Sequence, residues 1–435
     1  MKKFLSVLLS SLLVVSLAAC GTKNETASNE GEKNDVAVEE NQKITIWAWD
    51  PNFNIAIMDK AKELYAAENP NVEIEIVEFA KGDLEQKLHT NLASGLTDGL
   101  PDIVLIEDYN AQKYLESYPG SFEDLTGKMN YSDFAPYKVA LSTFEDKVYS
   151  VPFDSGVTGF YYRSDYLEEA GYKAEDLQNL TWDEFIEIGK VVLEKTGKQM
   201  LALDPNDGGL MRVMMNSAGS WYFNEKGEVD MANNAAIKEA MRIYKELFDS
   251  GITKTTSGWG EWVGAINSGD VASITTGVWI TGSVKAEATQ EGKWAVATTP
   301  RLNLDGAVNA SNLGGSSWYV LSSSKVADTA VDFLNKSYAS NVDFYQEILV
   351  GQGAVCSYIP SQTGEAYSAE DSFFGGQKVY EDMSKWMQEI PALNYGMYTY
   401  EADAAIFANM TSVYGGGSID EALKNAEDQV KSQIQ

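Results

Sequence analysis

Between Lys43 and Asp108 the hydrophobic pattern changes period repeatedly, and that alternation restricts the chain to few folds. Ile44 and Ile46 alternate with Lys43 and Thr45, the period-two signature of a half-buried strand. Asp50-Pro51 then starts a helix: Asp at the N-cap accepts a backbone N–H, and Pro fits the first turn. Ile55, Met58, Lys62 and Tyr65 follow at three- and four-residue steps until Asn69-Pro70 stops the helix. Val72, Ile74 and Ile76 predict a second strand, 83–94 a second helix closed by Gly95, and Ile103-Val104-Leu105-Ile106 a buried strand. Strand, helix, strand, helix, strand in one run requires a parallel sheet with right-handed crossovers. In open α/β sheets ligands bind beyond the carboxyl ends of the strands. Two such ends carry aromatic and carboxylate side chains: Trp49-Asp50 after the first strand and Glu107-Asp108-Tyr109 after the third.

What precedes Lys43 is of another kind. Lys2 and Lys3 supply positive charge, and Phe4 to Leu17 is an apolar run broken only by serines. Ala18-Ala19 stand directly before Cys20-Gly21, the order of an export signal ending in a lipobox. Residues 1–19 are therefore expected to be removed and Cys20 to carry a diacylglyceryl group. A plain secretory signal with an incidental Cys is the alternative. Residues 20–42 are rich in Asn, Glu, Lys, Ser and Thr. They cannot bury enough surface to offset their ordering entropy, and read as a flexible tether. Over four hundred residues follow the signal, too many for one core, so two lobes are expected.

Composition narrows the function. The formal net charge of −31 argues against nucleic acid or anionic lipid headgroups as partners. His89 is the single histidine, which makes a zinc site or a Ser-His-Asp triad hard to assemble. No metal and no cofactor are expected. With Cys20 lipidated, Cys356 has no cysteine partner and no disulfide framework forms. The 10 Trp and 23 Tyr fall largely in Gly-, Ser- or Asp-rich stretches rather than on apolar periods.

Farther along, Val148 to Pro152 and Val157 to Tyr162 are strand-like runs in line, separated by Phe153-Asp154-Ser155-Gly156. That suits a chain crossing between lobes. Thr181-Trp182-Asp183-Glu184 is a capping box opening a helix. Gly219 to Asn224 is a loop with three consecutive aromatics, Trp221, Tyr222 and Phe223. Val271 to Thr275 is a buried strand running into Thr276-Gly277-Val278-Trp279. Leu313-Gly314-Gly315-Ser316 opens a Gly-interrupted strand, the sort where a backbone approaches something closely.

A lipobox, a Trp-bearing first strand, Pro101-Asp102-Ile103-Val104, the Val151-Pro152-Phe153-Asp154 and Gly159-Phe160-Tyr161-Tyr162-Arg163 pair, Gly277-Val278-Trp279 and Gly314-Gly315-Ser316 occur in that order. Together they resemble the extracellular solute-binding proteins of bacterial ABC importers, the maltose-binding-like carbohydrate group. Residues 46–54, 86–89 and 103–114 look most like its lactose- and arabinose-binding members. The resemblance implies a two-lobed, type II periplasmic-binding-protein-like α/β fold, closing over a sugar. It implies three crossings, near Pro152–Ser155, Ala297–Arg301 and Ser357–Ser361. Lobe 1 would comprise 43–153 plus 298–358, and lobe 2 154–297 plus 359–435.

A sugar has apolar C–H faces and a rim of hydroxyls, so its site wants aromatic planes beside carboxylates or amides. Carboxylates make the stronger, charge-assisted bonds. The expected ligand-binding residues are Trp279, which matches the family's Gly-x-Trp stacking position, and Trp49. Asp50 joins them, although it is also explained as a helix cap. The others are Glu107 and Asp108, Asp154 at the first crossing, Trp221, Trp262, the backbone at Gly314 and Gly315, and Tyr395. No catalytic residue is expected. The chain reads as a monomeric, lipid-anchored carbohydrate-binding protein on the extracytoplasmic face of the cell membrane. It would deliver a mono- or oligosaccharide to an ABC permease. A secreted glycoside hydrolase, with a carboxylate pair among the 64 acidic residues, stays open. So does a sugar-sensing or adhesion lipoprotein on the same fold.

Overall fold

The computed structural model describes residues 42–434. Strand β1 (Gln42–Ala48) lies parallel to both β2 (Val72–Glu78) and β3 (Ile103–Glu107). The crossovers are the helices Ala56–Glu68 and Lys81–Ser94. The alternation along β1 sorts its side chains as the pattern requires: Ile44, Ile46 and Ala48 enter the core on one face, Trp47 the core on the other. Local capping follows the sequence. Asp50 accepts from the amides of Asn52 and Phe53, although the first turn, Pro51–Ile55, is a π turn. Gly95 closes the second helix in the left-handed region, at φ 67°.

A two-strand hairpin, β4 (Thr143–Phe144) and β5 (Lys147–Val148), precedes β6 (Ser150–Pro152). The chain then builds a second sheet from β7 (Thr158–Arg163), β8 (Gln199–Leu203), β9 (Thr253–Thr255), β10 (Val271–Gly277) and β11 (Trp294–Ala297). Its order is β11-β7-β10-β8-β9, with β8 parallel to β9 and β10, and β7 antiparallel to its neighbours. Strand β12 (Ser316–Val320) returns to the first sheet and inserts antiparallel between β3 and β6, giving the order β2-β1-β3-β12-β6. Each sheet has its own hydrophobic core, so the fold is a two-lobed α/β architecture. The capping box is made in full: the Glu184 amide donates to Thr181 Oγ1 at 3.3 Å, and the Thr181 amide to the Glu184 carboxylate at 2.8 Å.

Three segments run side by side between the sheets. The Ser155 amide donates to the Val355 carbonyl and the Ser357 amide to Phe153, each at 2.9 Å. The Thr158 amide donates to Ser311 at 2.9 Å and the Leu313 amide to Gly156 at 2.8 Å. Gly156 has no substitute here: a Cβ would lie 2.1 Å from the Leu313 carbonyl oxygen. The first crossing therefore passes through Phe153–Thr158. The second lies at 311–315, C-terminal to the expected 297–301. Ala297 still pairs with Phe160, and Asn309 Nδ2 bonds the Leu180 and Thr299 carbonyls at 2.8 Å, which ties the intervening chain to the second sheet. The third passes Val355–Ser357, just ahead of a 3-10 turn at Ile359–Thr363. The expected signal, the lipidated Cys20 and the tether up to Asn41 lie outside the described residues.

Candidate functional site

The clearest site lies at the carboxyl ends of parallel strands β8 and β10, where α/β topology places ligands. A cavity of about 280 Å³ opens there. Three tryptophans wall it. Trp259 and Trp262 come from the helix Gly258–Asn267, and Trp279 from the turn that ends β10. Their ring centroids are 5.4 Å (259–262), 5.9 Å (259–279) and 6.4 Å (262–279) apart. Hydrogen bonds hold two of the indoles in place: Trp262 Nε1 donates to the Ala202 carbonyl at 3.1 Å, and Trp279 Nε1 to the Leu313 carbonyl at 2.9 Å. Trp259 is 56% exposed, a large apolar plane presented to solvent at the rim.

Polar groups sit among these planes. Asp204 and Asp207 come from the loop after β8. Asp204 accepts from the amides of Asn206 and Gly258, and Asp207 Oδ1 from the amide of Gly209, so backbone donors orient both carboxylates. Thr275 and Thr276 line the floor, and the buried Thr275 Oγ1 has no hydrogen-bond partner. An unsatisfied buried hydroxyl beside a cavity is costly unless a ligand or water completes it. Flat apolar walls, fixed carboxylates and a free hydroxyl suit a molecule with apolar faces and a hydroxyl rim.

Of the expected residues, Trp262 and Trp279 meet in this cavity, and Gly314 adjoins it through Leu313. The others stand elsewhere. Trp49 is half-buried against both cores of the first lobe, while Trp47 is core, packed on Phe79 at 5.0 Å. Asp50 is exposed and engaged as a helix cap, with φ at 62°. Glu107 accepts from Lys81 and from the Tyr400 hydroxyl, both at 2.5 Å. Asp108 is buried, bonded to Lys138 Nζ at 2.6 Å and to Ser317 Oγ at 3.2 Å. Asp154 Oδ1 accepts from the Ser316 amide at 2.8 Å and hydroxyl at 2.6 Å. Burial pushes both carboxyls up: Asp108 to about 6, against the opposing pull of Lys138, and Asp154 in the same direction. Gly315, at φ 98°, passes over Asp108, where a Cβ would come within 2.8 Å of Oδ2. Trp221 and Tyr395 are buried, with the Trp221 Nε1 donating to Thr399 Oγ1 at 3.0 Å.

Asp204, Asp207, Thr275 and Trp259 are not among the residues that the sequence singles out. A signal existed for the first two. Leu203-Asp204-Pro205-Asn206-Asp207 follows a strand end, the rule that singled out Trp49-Asp50. Trp259 and Trp262 are three residues apart on one helix face. Among the described residues no group of three or more His, Cys, Asp or Glu side chains is placed to hold a metal ion.

The pattern described as bacterial extracellular solute-binding protein matches residues 60–372. The chain is 54% identical over 430 residues to the lactose-binding protein of Rhizobium radiobacter, covering 99% of each. The sugar-binding protein MalE from Xanthomonas citri superposes with a TM-score of 0.75 at 17% identity, over 90% of this chain and 97% of that one. The ABC transporter associated binding protein from B. animalis subsp. lactis Bl-04, in complex with β-1,6-galactobiose, does so with a TM-score of 0.69 at 24% identity, over 89% and 96%. The family match over residues 60–372 and the 54% identity across 99% of both chains settle the family: the chain belongs to the bacterial extracellular solute-binding proteins, a family that binds solutes and is not enzymatic.

Proposed function

We propose that this protein captures a β-galactoside disaccharide of the lactose type and delivers it to an ABC permease. The tryptophan-walled, carboxylate-rimmed cavity carries this reading; the 54% identity to a lactose-binding protein narrows the sugar. In the mechanism, one sugar face stacks on Trp279 and Trp259 while Asp204, Asp207 and Thr275 take hydroxyls. Contacts added by the first lobe favour the closed arrangement, and the closed form docks on the permease. A thermal-shift screen over galactosides, arabinosides, xylosides and glucosides tests the sugar class. Lactose at a hundred times its Kd should stabilise the fold by about 2.7 kcal/mol. The reading fails if lactose and its galactoside relatives leave the melting temperature unchanged.

The same proposal includes a lipid anchor at Cys20, supported by the order of charge, apolar run and small residues before that cysteine. Intact-mass analysis of protein recovered from membranes should find the chain starting at Cys20 with a diacylglyceryl mass. A chain that starts elsewhere, or carries no lipid, contradicts the anchor.

A further inference from the structure

Strand β10 carries two hydroxyls on one face, and the protein satisfies the first and not the second. Ser273 and Thr275 lie one alternation apart, so their side chains point the same way. Ser273 is fully buried, and its Oγ donates to the Met200 carbonyl of the neighbouring strand β8 at 2.7 Å. Thr275 stands one step nearer the carboxyl end. Strands β8 and β10 are parallel, with Ser273 opposite Leu201, so the equivalent acceptor for Thr275 is the Ala202 carbonyl. Trp262 Nε1 already donates to that carbonyl at 3.1 Å. Thr275 is 7% exposed, and its Oγ1 has no partner in the protein. The indole that walls the cavity thus occupies the acceptor that the floor hydroxyl would use.

The other polar groups of the cavity are differently placed. Tyr244 Oη donates to the Asp207 carbonyl at 2.7 Å. Asp204 is half-buried and Asp207 exposed, and each already accepts from backbone amides. A carboxylate at a wet rim exchanges a missing sugar hydroxyl for water at little cost, so it adds affinity and discriminates weakly. A neutral hydroxyl in a floor lined by Leu201, Leu203 and Ile274 is shut off from that exchange. A sugar that places its own hydroxyl there completes the pair. One that lacks it leaves a buried polar group unpaired, which costs more than a missing contact.

We infer that Thr275 is the specificity-determining residue of the cavity: it reads one hydroxyl of the sugar ring seated against Trp279 and rejects sugars that lack it. The tryptophans supply affinity for a flat sugar face, and Thr275 supplies the choice among such faces. The inference rests on the sugar-binding reading, but one of its consequences does not. Without sugar the hydroxyl contributes nothing to the fold, so a methyl of the same shape in its place leaves stability unchanged or raises it.

Calorimetric titration of lactose and of its monodeoxy analogues, one hydroxyl removed at a time, tests the assignment in wild type, Thr275→Val and Thr275→Ser. In the wild type one analogue should carry the largest penalty, about 10- to 100-fold against lactose. Thr275→Val should bind lactose as weakly as the wild type binds that analogue, and should no longer distinguish the two. Thr275→Ser keeps the hydroxyl and should keep the discrimination. An unchanged pattern of penalties in Thr275→Val overturns the inference. So does a ligand-free Thr275→Val that melts below the wild type or fails to fold, because the hydroxyl would then be bonded within the protein. If the wild type binds neither lactose nor any analogue, the sugar reading fails and the specificity role with it, while the ligand-free melt still decides whether the hydroxyl is unpaired.

Discussion

Lys138→Met should cost about 3–5 kcal/mol of folding stability at neutral pH, read as a shift in the urea midpoint. Lys138 is fully buried and donates to Asp108 at 2.6 Å and to the Ser316 carbonyl at 2.8 Å. Asp154 holds Ser316 from the other side and feels the same ammonium through space, without touching it. Methionine fills a similar volume but leaves both carboxylates buried without a counter-charge. The pH dependence follows from the carboxyl shift. Burial holds Asp108 at about 6 with the lysine in place, above the ordinary value of 3.8. Without the lysine it moves further up. The folded state then keeps a proton that the unfolded chain releases, so stability falls as pH rises through the folded value. The loss in Lys138→Met should therefore be largest above neutrality and shrink toward pH 4–5. The double variant Lys138→Met, Asp108→Asn removes both charges of the pair and should recover much of the loss. Equal urea midpoints for wild type and Lys138→Met would show that the pair contributes nothing.

Trp279→Ala should abolish measurable sugar binding while the fold survives. The indole is half-buried, and its removal costs one hydrogen bond to Leu313 plus local packing, on the order of 1–2 kcal/mol of stability. A central aromatic anchor in a binding pocket is worth about 2–4 kcal/mol of affinity, roughly 30- to 700-fold. Trp279→Phe keeps a flat face without the hydrogen bond and should lose less. Calorimetric titration of each variant, beside its thermal melt, separates lost binding from lost folding. Wild-type affinity in a folded Trp279→Ala would remove Trp279 from the site.

How far the chain could be read from its sequence tracks how far apart the partners lie. The Asp50 cap, the Gly95 stop and the Thr181–Glu184 capping box join residues within a few positions, and each forms as read. The first parallel strands are equally legible, because periodicity and crossover handedness are local constraints. The Gly277-Val278-Trp279 strand end was also readable, and its indole does wall the cavity. Asp108 looked like a hydroxyl acceptor because nothing near it in sequence announces Lys138, thirty positions on. Trp221 and Tyr395 are expected among the ligand-binding residues, and nothing near either in sequence announces Tyr109, the ring packed against both. A strand end identifies where ligands bind, but which strand ends remain open depends on how the lobes meet.

Isothermal titration of lactose into the wild-type protein decides whether the chain binds a sugar. Binding should saturate at one lactose per chain and be lost in Trp279→Ala, with arabino- and gluco-configured disaccharides binding more weakly. Absence of heat with lactose and with every other saccharide, in a protein that melts cooperatively, would contradict sugar binding.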